Sequence, residues 1–206
     1  MYPVRLAPGP LFVTRRWNWG RGRTIVYGGE RRRWSARRLA DVTWRLRLSS
    51  WRLAYAGTIL GHRVAGAAMA TKPYWLFAPE RLAIEGTLEI GGAPAGRIRI
   101  ARDGHKAPFT LRLDGAGRGE CVTMTCDLRR VTVAVDGQDI IRAPSCHTPF
   151  LDDVRSLLGF ARYTWGDVLE TGRGPVAPAA VVGCLFAVAL ANGRPGDDLL
   201  APQRMD

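Results

Sequence analysis

Arginine is the residue type in this chain whose number and placement point most directly to chemistry. A guanidinium group binds phosphate or carboxylate through two parallel hydrogen bonds and keeps its charge at physiological pH. Residues 1–52 contain thirteen arginines and only two acidic residues, so this quarter of the chain carries +11 of the net charge of +12. We therefore expect an anionic partner to bind the amino-terminal quarter.

The candidate ligand-binding residues are the densest arginine cluster and two further arginines on a strand pattern. They are Arg31, Arg32, Arg33, Arg37, Arg38, Arg45 and Arg47. The alternation in Trp44-Arg45-Leu46-Arg47-Leu48 predicts a β-strand with both arginines on its outer face. Five of the seven tryptophans lie in the same quarter, and indole rings suit either a lipid headgroup boundary or stacking on bases. The alternative, a solvated arginine-rich surface above a tryptophan core, explains the same composition.

Cysteine and aspartate residues offer little further chemistry. Cys121 and Cys126 are five residues apart on a strand pattern, which places them on opposite faces and argues against a shared zinc ion. Asp136 and Asp139 lie on either side of a predicted turn. The preference of aspartate for turns explains both residues without a role in acid/base chemistry. The sequence contains no nucleotide-binding or catalytic motif, so we predict no catalytic residue, no metal and no cofactor, and a non-enzymatic role is favoured.

The elements that must position the arginines are β-strands. From about residue 42 to 142 apolar residues recur at alternate positions, and pairs of residues that favour tight turns separate the runs. These pairs are Gly91-Gly92, Asp103-Gly104, Asp114-Gly115 and Asp136-Gly137. Residues 11–14 and 23–27 add two strands, whereas residues 31–40 fit either a short helix or a loop. The sequence predicts a mainly β protein, an antiparallel barrel of roughly ten to twelve strands.

Near the carboxyl end, residues 176–193 contain no charged side chain. Pro178 suits a first helical turn and Asn192-Gly193 suits a stop, which predicts a helix over about 178–191, about 21 Å long. A bilayer core is about 30 Å thick, so this segment is too short to span it comfortably. A helix that is apolar all round must be buried all round. We therefore predict that it lies inside the barrel, with Cys184 buried.

A second, amphipathic helix is predicted over residues 150–161, because apolar residues recur there at helical spacing. The length of 206 residues is that of one domain, spanning residues 1–206. No apolar amino-terminal leader is recognisable, which favours a cytoplasmic location. If the protein binds lipid, we expect it to attach peripherally to the inner surface of the membrane.

Many short strands followed by an apolar helix resemble the tubby-like barrel superfamily, which includes the phospholipid scramblases and the LURP-one-related proteins. The resemblance is architectural, and within it residues 179–191 match the helix that threads the twelve-stranded barrel of that family. It implies a non-enzymatic protein that binds anionic phospholipid. The amphipathic helix and the polar tail, residues 194–206, depart from the family pattern, and no phosphoinositide-binding motif is matched residue by residue.

Three hypotheses for the function follow. The first is a barrel that binds anionic phospholipid headgroups or a membrane surface through the amino-terminal quarter. The second is a nucleic-acid-binding protein, for which the same charge serves although no known nucleic-acid-binding motif is present. The third is a lipocalin-like barrel with an interior pocket, acting as an enzyme or a small-molecule carrier.

Overall fold

The protein forms a closed antiparallel β-barrel with a helix near the carboxyl end, as seen in a computed structural model. The structure describes residues 6–18, 21–29, 37–47, 52–70, 81–103, 109–116, 120–126, 131–143, 163–169 and 177–191. The strands are β1 (Gly9–Asn18), β2 (Arg21–Gly28), β3 (Arg37–Arg47), β4 (Arg52–Ile59), β5 (His62–Ala70), β6 (Arg81–Ile90), β7 (Ala93–Asp103), β8 (Phe109–Ala116), β9 (Glu120–Cys126), β10 (Val131–Val135), β11 (Gln138–Ala143) and β12 (Tyr163–Val168). Helix α1 comprises Pro178–Ala191. The predicted fold class is confirmed.

Each strand pairs with the strand that follows it in sequence, and β1 pairs with β12 to close the ring. The closing pair is antiparallel and runs from Gly9 opposite Val168 to Val13 opposite Tyr163. An open sheet would present unpaired backbone groups at both edges, whereas a closed ring has no edge. Closure therefore gives every one of these strands two neighbours.

Among the described turns, three close a hairpin with two residues that both have positive φ angles, the geometry of a type I′ turn. The φ angles are 50° and 80° at Leu60–Gly61, 64° and 84° at Gly91–Gly92, and 49° and 80° at Asp136–Gly137. The second and third of these turns were predicted. Asp114–Gly115 is instead part of β8, where Gly115 lies in a register irregularity. Asp103 ends β7, and Gly104 lies outside the described residues.

Helix α1 lies inside the barrel. Residues 180–189 are all buried, and the helix contacts β2, β3 and β4 as well as β8, β9 and β10. In a ring of twelve strands these two groups lie on opposite sides of the lumen, so a helix outside the barrel could not touch both. The predictions of an interior helix and of a buried Cys184 are confirmed. Within the described part of the chain, no helix has the length and apolar character needed to cross a membrane.

Glycines on the inner wall make room for the aromatic side chains around α1. Trp44 lies over Gly22, where a Cβ would come within 2.0 Å of the indole ring. Tyr55, which is opposite Trp44 in the register, lies over Gly66 on the other side. The Tyr55 ring packs against Phe186 of α1 with ring centroids 4.8 Å apart. Each large side chain is thus matched by a residue without one, as close packing requires.

The Tyr55 hydroxyl donates a hydrogen bond to the backbone carbonyl of Thr87. Burial, and to a lesser extent the charge of Glu89, raise the pKa of Tyr55 well above its usual value. The unfolded chain therefore loses this proton near pH 10 while the folded protein keeps it, and stability falls as the pH rises above about 10. Tyr55→Phe should cost about 1 kcal/mol at pH 7 because the hydrogen bond is lost.

Urea unfolding of the wild type and of Tyr55→Phe at pH 7 and pH 11 checks this expectation. The difference between the two proteins should shrink at the higher pH, because phenylalanine has no proton to lose. A difference that stays constant between the two pH values would show that Tyr55 ionises as readily in the folded protein as in the unfolded chain.

One sequence interpretation changes at the start of a strand, and two others are not tested. Residues 37–40 were assigned to a short helix or a loop, and this was wrong, because they begin β3. Ala40 and Val42 are buried and continue the inward alternation of Trp44, which only a strand allows. The helix predicted over residues 150–161 and the tail over 194–206 lie outside the described residues, while Tyr163, next to that helical pattern, begins β12.

Candidate functional site

The candidate arginines do not form one cluster. Arg37 and Arg38 begin β3, whereas Arg45 and Arg47 end it. At about 3.3 Å per residue, Arg38 and Arg45 are about 23 Å apart along the strand, at opposite ends of the barrel. Residues 31–33 lie outside the described residues. The four candidate arginines that the structure describes therefore lie on two separate surfaces.

At the first of these two ends, Arg38 shares a carboxylate with an arginine of the neighbouring strand. Asp41 accepts hydrogen bonds from Nε and Nη2 of Arg23 at 2.7 and 2.6 Å, and Nη2 of Arg38 lies 2.8 Å from its Oδ2. The Asp41 side chain is only 15% exposed. The hydrogen bond from Arg23, assisted by the charges of both arginines, lowers the pKa of Asp41. One internal carboxylate thus partly neutralises two arginines of the amino-terminal quarter.

Asp41→Asn should destabilise the protein by about 1 kcal/mol at pH 7, because the charge-assisted hydrogen bonds weaken. A lowered pKa contributes stability above the unfolded value of about 3.9, and this contribution is lost as the pH falls through the folded value. The wild type and Asp41→Asn should therefore converge below about pH 4, as measured by urea unfolding. Asp139→Asn is the control, since its ion pair with Arg142 is more exposed. Equal stability of wild type and Asp41→Asn at pH 7 would contradict this role.

At the other end of β3, arginines face arginines across the strands. Arg45 is opposite Arg21 of β2, and Arg47 is opposite Arg52 of β4. We call this the arginine end, defined by these four residues. Arg21, Arg45 and Arg52 are exposed, and none of them takes part in an ion pair between described residues. Like charges placed opposite each other destabilise a sheet, so an anion bound there would relieve a repulsion that the fold itself creates.

An apolar side chain continues the arginine end onto β5. Met69 is opposite Arg52 in the register, and it is 53% exposed, the large hydrophobic side chain that stands out at the described surface. The next outward pair along the same two strands is Ala54 opposite Ala67. Arg21, Arg52 and Met69 were not among the predicted site residues. The register of β2 to β5 brings them together, and the sequence alone does not reveal that register.

Of the five tryptophans in the amino-terminal quarter, the structure describes the side chain of one, Trp44, and this side chain lies in the core. Trp44 points into the lumen and is 4% exposed, as the alternative of core tryptophans predicts. Trp19, Trp34 and Trp51 lie outside the described residues, and the structure describes only the backbone of Trp17. No indole ring among the described side chains is therefore available to an external ligand.

The described residues contain no group of three or more histidine, cysteine, aspartate or glutamate side chains placed to hold a metal ion. Asp136 caps a neighbouring strand, with its Oδ1 accepting from the backbone N–H of Cys121 at 2.8 Å. Asp139 binds Arg142 at 2.8 Å. Burial raises the pKa of the Cys121 thiol, so this half-buried cysteine is not activated as a nucleophile.

Comparison of the chain with protein-family models, with curated proteins and with solved structures found no match.

Proposed function

We propose that the protein is a non-enzymatic barrel of the tubby-like type that binds an anionic phospholipid surface with its arginine end. The observation that carries the proposal is the placement of arginines opposite arginines, without an ion pair to another described residue for Arg21, Arg45 and Arg52, and with the exposed Met69 beside them. Arginine suits phosphate, and an exposed apolar side chain beside it suits the boundary between headgroups and acyl chains.

The architecture supports this assignment. A closed ring of twelve antiparallel strands with an apolar helix in the lumen is the arrangement that the resemblance to the tubby-like barrels implies. Fold alone does not determine function, so the proposal depends on the chemistry of the arginine end. Residues 180–189 of α1 are buried and the helix carries no charged side chain, which supports a structural role in filling the barrel.

The two other hypotheses have less support. A lipocalin-like carrier binds its ligand in the lumen, and here α1 occupies the lumen between β2–β4 and β8–β10. A nucleic-acid-binding protein would use the same arginines, but it reads or stacks bases with exposed aromatic side chains. The exposed side chain described beside the arginine end is Met69, which favours lipid.

Vesicle co-sedimentation tests the proposal. Replacement of Arg21, Arg45 and Arg52 by glutamine should weaken binding to phosphatidylserine-containing vesicles about 100-fold, since each basic residue near an anionic surface contributes about 1 kcal/mol. Wild-type binding should fall steeply with salt and should be absent with phosphatidylcholine vesicles. Binding that is unchanged in the triple variant would contradict the proposal.

Two comparison variants make the test specific. Replacement of Arg63, Arg97 and Arg142 by glutamine removes the same charge from β5, β7 and β11, and this control should keep most of the affinity. Replacement of Arg31, Arg32, Arg33, Arg37 and Arg38 tests the other candidate cluster directly. If that five-arginine variant alone loses binding, the opposite end of β3 is the site.

Met69→Ser separates lipid from nucleic acid. It should weaken vesicle binding, because the apolar contact is lost, and it should leave binding to a single-stranded oligonucleotide unchanged. If the wild type binds the oligonucleotide more tightly than the vesicles at the same salt concentration, the nucleic-acid hypothesis is the better one.

A further inference from the structure

Two polar groups inside the barrel have no hydrogen-bond partner among the described residues. They are the indole N–H of Trp44 and the hydroxyl of Thr24, and the two residues are 4% and 0% exposed. Native proteins pair nearly all buried polar groups, because an unpaired one has lost water without replacing it. The presence of two such groups on one wall of the lumen suggests that they share a partner.

The two groups lie close together on β2 and β3. Trp44 is opposite Gly22 in the register, and its Nε1 lies 2.6 Å from the position that a Cβ of Gly22 would occupy. Thr24 is two residues further along the same face of β2, so its Cα lies about 6.5 Å from that of Gly22. Two hydrogen-bonded oxygen atoms, joined to each other and to the two groups by three hydrogen bonds of about 2.9 Å, span up to about 9 Å. A ligand that presents two oxygen atoms, or two linked water molecules, can therefore reach both groups.

The chemistry of the two groups restricts what this molecule can be. An indole N–H only donates, so the ligand must present an acceptor, while the threonine hydroxyl can donate or accept. The neighbouring inward side chains Val26 and Val42 are apolar and buried, and the Tyr55 hydroxyl is already bonded to Thr87. A charged ligand would lack a counter-charge among these side chains, so the ligand must be neutral.

We propose that the barrel interior binds a neutral oxygen ligand that bridges Trp44 Nε1 and Thr24 Oγ1, with two hydrogen-bonded water molecules as its smallest form. The site is separate from the arginine end, and it does not depend on the proposed lipid binding. It satisfies both buried groups at once, which no described side chain does.

Nuclear magnetic resonance of the ¹⁵N-labelled protein tests the site directly. Trp44→Phe identifies the Trp44 indole signal by its loss. In the wild type this indole proton should exchange slowly with solvent and show a cross-peak either to water or to ligand protons. Native mass spectrometry separates these two sources, because a carried organic molecule adds its mass to the chain. An indole proton without either cross-peak would overturn the proposal.

Thr24→Val gives a second test that holds even if Trp44→Phe does not fold. Valine has nearly the shape of threonine and lacks the hydroxyl. If the hydroxyl binds the bridging oxygen, the melting temperature should fall by about 3 °C. If the hydroxyl is simply unpaired, its removal should raise the melting temperature, and that result would overturn the proposal. Thr58→Val on the exposed face of β4 is the matched control and should change little.

Discussion

We expect Ala187→Arg to prevent folding of the barrel. Ala187 is fully buried in α1, and the wall around it is apolar, so an arginine there finds no counter-charge among the described side chains. The cost of burying an unpaired charge is several kcal/mol, and the overpacking of a side chain many atoms larger adds to it. Together these costs are comparable to the about 5 to 15 kcal/mol that stabilises a whole domain. Val182→Arg, at another fully buried position of α1, should act in the same way.

Circular dichroism and gel filtration of the purified variants measure the outcome. Ala56→Arg is the matched control, because Ala56 lies on the exposed face of β4 and an arginine there remains in water. The control should fold with nearly the wild-type melting temperature. A folded Ala187→Arg protein with that same melting temperature would mean that α1 does not occupy the lumen in solution.

Gly66→Ala should lower the free energy of unfolding by about 3 kcal/mol, although it adds a single methyl group. A Cβ at Gly66 would lie 2.1 Å from the carbonyl oxygen of Thr87 and 2.5 Å from the Tyr55 ring. Relief of the first contact requires β5 and β6 to separate, and relief of the second requires Tyr55 to move against Phe186. Neither movement is available in a closed, filled barrel.

Thermal denaturation should show this loss as a fall of about 6 to 12 °C in the melting temperature, given a chain of this size. Ala54→Val, on the exposed face of the adjacent strand, adds more atoms and should cost almost nothing. If Gly66→Ala is as stable as the wild type, the Tyr55 ring does not rest on Gly66 in solution.

The sequence predicted the barrel because its clearest local patterns agree with each other. Alternation in Val131–Val135, a turn at Asp136–Gly137 and an uncharged helix from Pro178 each have one structural interpretation, and each is observed. β4 and β5 were not resolved as separate strands, because their outward residues include alanines and the contrast between faces is weak. The inward and outward faces of those strands are set by packing in the closed barrel, and a local sequence pattern does not show this.

The site was less predictable than the fold for a physical reason. Composition revealed that the amino-terminal quarter is basic, but the effect of each arginine depends on its neighbours across the strands. Asp41 partly neutralises Arg23 and Arg38, whereas register places Arg21 opposite Arg45. A bulge between Ala40 and Arg38, opposite Val26 and Tyr27, shifts the pairing of β2 with β3 by one residue, and Arg38 lies beyond it. One residue of slip would exchange the inner and outer faces.

The pairing of β1 with β12 also determines when the molecule can assemble. The strand that closes the ring is far from β1 in sequence, with Gly9 opposite Val168, and the helix that fills the ring follows it. Contacts between residues so far apart in sequence form slowly, because closing the long loop between them costs chain entropy before the contact contributes any stability. During synthesis, the open sheet exposes both edges and an apolar inner face until α1 has emerged. A ribosome pause before residue 178 would therefore hold the chain in its most aggregation-prone form.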